Sequence, residues 1–118
     1  MPRVTINHKK VIRMNSKAYE TLGVPVAVEL SYDEEGNSIG MRPVDPKKDH
    51  AFPIKTHYKY RSGERSSISY RMINAAAFCK HFDIKPTGTM LFNSVEVERD
   101  GTMILELNNI SQVEKGPR

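Results

Sequence analysis

Cysteine is almost missing from this 118-residue chain: Cys79 stands alone, so no internal disulfide can form and a cytoplasmic setting is expected. No apolar run approaches the roughly 20 residues that a membrane-spanning helix requires. The opening Met1-Pro2-Arg3-Val4-Thr5 lacks the apolar stretch of a secretory signal, and no membrane partner is expected. A glycine-rich phosphate loop, a nucleophile elbow and a paired-carboxylate motif are absent as well. Asp33-Glu34-Glu35 forms an acidic turn, but its spacing is not that of a calcium loop. No two of His8, His50, His57 and His81 stand at metal-ligand spacing. Cys79 and His81 are two residues apart, so on a helix they point to different faces. The run Ala75-Ala76-Ala77-Phe78-Cys79 reads as the buried face of a helix, where a thiol is inert. A protein that is not an enzyme, with no metal, cofactor or small-molecule ligand, is the expectation.

What is present is an ordinary globular composition, 38% hydrophobic and 27% charged, in a length that suits one domain over residues 1–118. The net charge of +4 is unevenly placed. Residues 1–46 balance six Lys/Arg against six acids, and residues 81–118 carry four against six. Residues 47–80 carry eight, Lys47, Lys48, Lys55, Lys59, Arg61, Arg65, Arg71 and Lys80, against Asp49 and Glu64. Charge concentrated in this way draws polyanions more strongly than the same charge dispersed. A solvated surface that keeps the protein soluble is the plain alternative.

Period-two alternation and turn residues lay out the elements. Val4-Thr5-Ile6 and Val11–Met14 read as strands joined by the turn Asn7-His8-Lys9-Lys10. Asn15 is a suitable N-cap for a helix over Ser16–Leu22, which Gly23 closes. Val26, Val28, Leu30 and Tyr32 then mark a half-buried strand, and Ile39 and Met41 share one face of its return partner after the Asp33–Asn37 turn. A second passage follows the same order. Ile54–Tyr60 reads as a strand, Arg61–Glu64 as a turn, and Ile68, Tyr70 and Met72 alternate along the next strand. Asn74 precedes a helical run to Phe82, a strand spans about Thr89 to Val97, and Asp100-Gly101 turns the chain into Met103, Leu105 and Leu107.

Asn15 and Asn74, and likewise Tyr19 and Phe78, are separated by 59 residues, and the remaining elements follow in the same order. Residues 1–46 and 54–110 are therefore expected to be two copies of one β-hairpin/helix/β-hairpin unit. Residues 47–53 form a linker, and residues 111–118 a flexible polar tail.

The first unit, Val4-Thr5-Ile6, Val11-Ile12-Arg13-Met14-Asn15 and a short helix ending Thr21-Leu22-Gly23-Val24 before two strands, resembles the AbrB/MazE/SpoVT family of swapped-hairpin DNA-binding proteins. The resemblance is strongest over residues 4–43. It implies a mainly β fold with two short helices: a pseudo-two-fold, swapped-hairpin-like β-barrel built from two similar halves, in the tandem manner of MraZ-like proteins. It also implies that basic residues of the hairpins and helix starts meet the phosphate backbone of DNA. The matching positions are Lys9, Lys10, Arg13 and Lys17 in the first half and Arg61, Arg65, Arg71 and Lys80 in the second, and Lys59, among the cations beside them, is a further candidate contact.

Tyr58, Tyr60 and Tyr70 stand among the second-half cations, as in a platform for stacking single-stranded nucleic acid. Tyrosine is also a common strand residue, and packing against the core is the favoured role for these rings. The functional expectation is a DNA-binding regulatory protein acting as a homodimer. The alternative is a protein-interaction module, such as a small phage or mobile-element accessory protein, marked by an exposed apolar patch.

Overall fold

In the computed structural model, residues 1–113 are described, the side chains of residues 60, 61 and 65–69 excepted. The chain opens with β1 (Val4–Ile6) and β2 (Val11–Met14), an antiparallel hairpin pairing Val4 with Met14 and Ile6 with Ile12. Its turn is held by the Asn7 side chain, which accepts from the N–H groups of Lys9 at 3.0 Å and Val11 at 3.1 Å. Helix α1 (Ser16–Leu22) begins at Asn15, whose Oδ1 accepts from the Ala18 N–H at 2.9 Å. It ends at Gly23, where φ of 101° lets the N–H groups of Gly23 and Val24 return to the carbonyls of Glu20 and Tyr19.

Strands β3 (Ala27–Asp33) and β4 (Ser38–Pro43) form the next hairpin. The chain then passes through β5 (Phe52–Pro53) into β6 (Lys55–Arg61) and the long β7 (Glu64–Asn74). Helix α2 (Ala76–His81) leads to β8 (Met90–Phe92), β9 (Glu96–Val97), β10 (Met103–Glu106) and β11 (Ile110–Gln112). The fold is mainly β, with two short helices and two antiparallel sheets. One sheet has six strands in the order β11-β8-β1-β2-β7-β6, the other five in the order β5-β3-β4-β10-β9.

A single core joins the two sheets. Val4, Ile6, Ile12, Met14, Ile73 and Phe92 come from the six-stranded sheet, and Val28, Ile39, Met41, Met103 and Leu105 from the five-stranded one. Ala18, Tyr19, Leu22, Phe78 and Cys79 add the apolar sides of the helices. Ile12 faces Ile73 across the central β2–β7 ladder, both fully buried. Each such side chain contributes about 1.5–3 kcal/mol through the apolar surface it removes from water.

Five expectations are corrected. The sheets are not closed into a barrel: β11 and β6 end one, β5 and β9 the other. One continuous strand was expected over Thr89–Val97, and the structure divides it. The chain leaves the six-stranded sheet after Phe92 and re-enters the other sheet at Glu96, so β8 and β9 pair in different layers. Asn93 fixes that exit by donating its N–H to the Asn109 carbonyl at 3.0 Å. Asn74, expected just before the second helix as the counterpart of Asn15, is the last residue of β7 opposite Val11, and Ala75 takes the N-cap position without a side-chain hydrogen bond. The Asn74 Oδ1 still accepts from the Ala76 N–H at 3.1 Å. Two further residues of the expected linker, Phe52 and Pro53, pair with β3, and Ser111 and Gln112 of the expected tail pair with β8.

Candidate nucleic-acid interface

Alternation along the six-stranded sheet decides which side chains reach solvent. Val4, Ile6, Ile12, Met14 and Ile73 point into the core, so Arg3, Thr5, Arg13, Tyr70, Met72, Lys55 and His57 share the outward face. The ladder sets Thr5, Arg13, Met72 and Lys55 in one row across four strands. Arg3, Arg13, Lys55 and His57 are exposed, and Tyr70 is half-buried. Arg3, Thr5, Arg13 and Tyr70 line a shallow cleft of about 140 Å³ on this face. The Arg13 guanidinium lies 4.8 Å from the centre of the Tyr70 ring. From β6, the strand on the other side of β7, His57 stacks on the same ring with its centroid 4.5 Å away and its plane tilted by 6°.

Beyond Arg71 the long hairpin leaves the sheet. Strand β2 pairs with β7 only as far as Arg71, so Glu64–Tyr70 and His57–Arg61 are paired in the ladder only with each other. The result is a two-stranded ribbon about 20 Å long at roughly 3.3 Å per residue. Ser62 and Gly63, with φ of 54° and 81°, close it in the left-handed conformation that tight hairpins use. Along Lys55–Arg71 the sequence has five Lys/Arg against the single acid Glu64.

The predicted contact residues fall into separate groups. Arg13 lies on the outward face, and Lys59 is exposed on the ribbon strand β6. The side chains of Arg61 and Arg65 lie outside the described residues. Lys17 is exposed on α1. Arg71 pairs with Met14 and turns to the inner side, where its guanidinium covers the Tyr19 ring at 4.4 Å. Lys9 and Lys10 occupy the β1–β2 turn, at the opposite end of the sheet from the ribbon tip. Lys10 also accepts the Ala75 N–H through its carbonyl. Lys80 is exposed on α2, which leaves that same end of β7. Arg3, Lys55 and His57 were not among the predicted contacts. The alternation of Val4 and Ile6 already puts Arg3 on Arg13's face.

The other sheet presents the opposite charge. Its outward face forms a groove of about 620 Å³ lined by Glu29, Asp33, Glu98, Asp100 and Glu106, with Arg42 among them. Gly40 sits on its floor, where an added Cβ would lie 2.7 Å from the Ser31 hydroxyl. Glu29 pairs with Arg42 and, at 3.3 Å, with Lys48. Burial raises the Glu29 pKa, but the hydrogen bonds and charges of Lys48 and Arg42 outweigh it and hold the carboxyl below its ordinary value. Asp100 is held low chiefly by the Thr102 backbone N–H, which it accepts at 3.0 Å.

Among the described residues the remaining ion pair joins Lys85 to Asp83 at 3.1 Å, and Arg3, Arg13 and Lys55 take part in none. Burial pushes the Cys79 thiol up, against the charge of Lys10. Among the described residues no group of three or more His, Cys, Asp or Glu is placed to hold a metal ion. No helix among them is long and apolar enough to cross a membrane. The exposed large apolar side chains among them are Met1, Val24 and Val26. No family model matches the chain, and neither does any curated protein or solved structure.

Proposed function

We propose that this protein binds DNA as a regulatory protein, through the outward face of the six-stranded sheet and the ribbon that extends from it. The observation that carries the reading is the separation of charge between the two outward faces. Arg3, Arg13 and Lys55 stand exposed on one, while five carboxylates gather on the other. Phosphates gain from the first and are repelled by the second, so a polyanion is both attracted and oriented. Chain contacts of this kind fix position on a duplex without reading its sequence.

A tandem arrangement of two swapped-hairpin units is part of the proposal. The segment β1-β2-β7-β6 is supported as a pair of hairpins meeting through their second strands, and β3-β4-β10-β9 repeats that plan. Arg13 faces Met72 in the central ladder, and these two residues are separated by 59 positions, the same interval as Asn15 and Asn74. That register is the one a two-fold axis between β2 and β7 would require. The proposed kinship with AbrB/MazE/SpoVT-like proteins rests on this order and on the first unit's sequence.

Duplex DNA binding, measured by fluorescence anisotropy at two salt concentrations, tests the function. For about four phosphate contacts, affinity should fall roughly a hundred-fold between about 50 and 200 mM salt. Binding that is absent at low salt, or indifferent to salt, contradicts the proposal.

A further inference from the structure

The stack on the basic face runs across three strands: Arg13 on β2, Tyr70 on β7 and His57 on β6. Strand β6 is the last of its sheet, so no neighbouring strand covers the far side of the imidazole. His57 is exposed and its ring is parallel to Tyr70 within 6°. A flat ring fixed from one side by a parallel ring, and open on the other, offers a surface on which another flat ring can stack. Lys55 lies two residues back on the same strand and the same face, within reach of a phosphate beside such a ring.

We infer that His57 extends the Arg13–Tyr70 stack to an unpaired nucleobase, so that this face takes single-stranded DNA in preference to duplex. The inference rests on the DNA-binding reading and names the form of DNA it favours. In a duplex each base is covered above and below by its neighbours, leaving only groove edges and phosphates to a sheet surface. In a single strand the faces of the bases are available. Aromatic stacking then adds to phosphate neutralisation without needing a particular sequence. Lys55 and Arg13 supply charge at either end of the stack, and the outward positions Arg3, Thr5, Met72 and Tyr70 between and beside them carry no carboxylate to repel the chain.

The test compares a labelled oligothymidylate of about a dozen nucleotides with a duplex of the same length, both titrated with the full chain at one low salt concentration. The wild-type protein should bind the single strand more tightly. His57→Ala should weaken single-strand binding about five- to a hundred-fold, the usual effect of removing one stacking ring, and weaken duplex binding by a clearly smaller factor. His57→Phe keeps a stacking surface and should retain the single-strand affinity. An alanine variant that binds both forms as the wild type does, or loses both equally, overturns the inference while salt-dependent duplex binding survives. Failure of the wild-type protein to bind either form overturns the DNA-binding reading itself, and this inference with it.

Discussion

The outward faces of the two sheets are built by the same alternation over the same core, yet they carry opposite charge. On the six-stranded sheet, the positions between buried Val4, Ile6, Ile12 and Ile73 are filled by Arg3, Arg13, Tyr70 and Met72. On the five-stranded sheet, the positions between Val28, Ile39, Met41, Met103 and Leu105 are filled by Glu29, Gly40, Ile104 and Glu106, with Arg42 paired to Glu29. The inward residues are interchangeable in kind and specify the fold. The outward residues are under no packing demand of that sort, so their charge is free to serve a partner. The acidic groove also keeps its cation occupied, whereas Arg3, Arg13 and Lys55 on the basic face join no ion pair among the described residues.

The contrast is broken most severely from beneath. Ile73→Ala removes a fully buried side chain that faces Ile12 and should destabilise the protein by about 2–5 kcal/mol, read as a lower urea midpoint. Both faces should then fail together on denaturation, because one core supports them. Asn15→Ala acts on one face only. Asn15 caps α1, accepts the Arg3 N–H at 3.0 Å and donates to the Met1 carbonyl at 2.9 Å, so its loss frees the start of β1 along with the helix. About 1 kcal/mol of stability should go, with weaker DNA binding through a less ordered Arg3. Asn74→Ala should lose less, since Asn74 bonds only the Ala76 N–H by its side chain and is not the cap.

Glu29→Gln is the smallest of these changes and acts on the acidic face. The Glu29 carboxyl is held below its ordinary 4.5, so its pairs with Arg42 and Lys48 stabilise the fold above that pH. The contribution is lost as pH falls through the lowered value. For a partly exposed cluster it amounts to a few tenths of a kcal/mol up to about 1. The variant should show a weaker acid dependence of unfolding below about pH 5, with DNA binding at neutral pH unaltered.

The first half was legible almost residue by residue because its signals are local. Period two in Val4–Ile6 and Val11–Met14, an Asn that caps and a Gly that closes α1 all act within a few residues. The second half depends on distant partners. Nothing local in Thr89–Val97 states that Phe92 belongs to one sheet and Glu96 to the other; that is decided by the pairing of β8 with β1 and of β9 with β10. The phase of β7 is similarly hidden. Ile68, Tyr70 and Met72 alternate like a core face, yet Ile73 is the buried residue at the sheet centre, which puts Tyr70 and Met72 outside and turns Arg71 inward onto Tyr19. Of the candidate site, the excess of cations along the ribbon was legible from charge, and Arg13 was named through the family resemblance. Arg3 could have been added from the alternation of Val4 and Ile6, whereas His57 needed the ladder, because its place on the face is set by pairing with Tyr70 and by the register of β7 on β2.

The most direct measurement is the slope of log affinity against log salt for duplex DNA, taken on the wild-type protein and two triple variants. Arg3→Gln/Arg13→Gln/Lys55→Gln removes the basic face, and Glu98→Gln/Asp100→Asn/Glu106→Gln neutralises part of the acidic groove. The first variant should lower the magnitude of the slope by about three and weaken binding accordingly, while the second should leave the slope unchanged. Equal slopes in all three proteins, or a loss of slope confined to the acidic-groove variant, would contradict binding through the basic face.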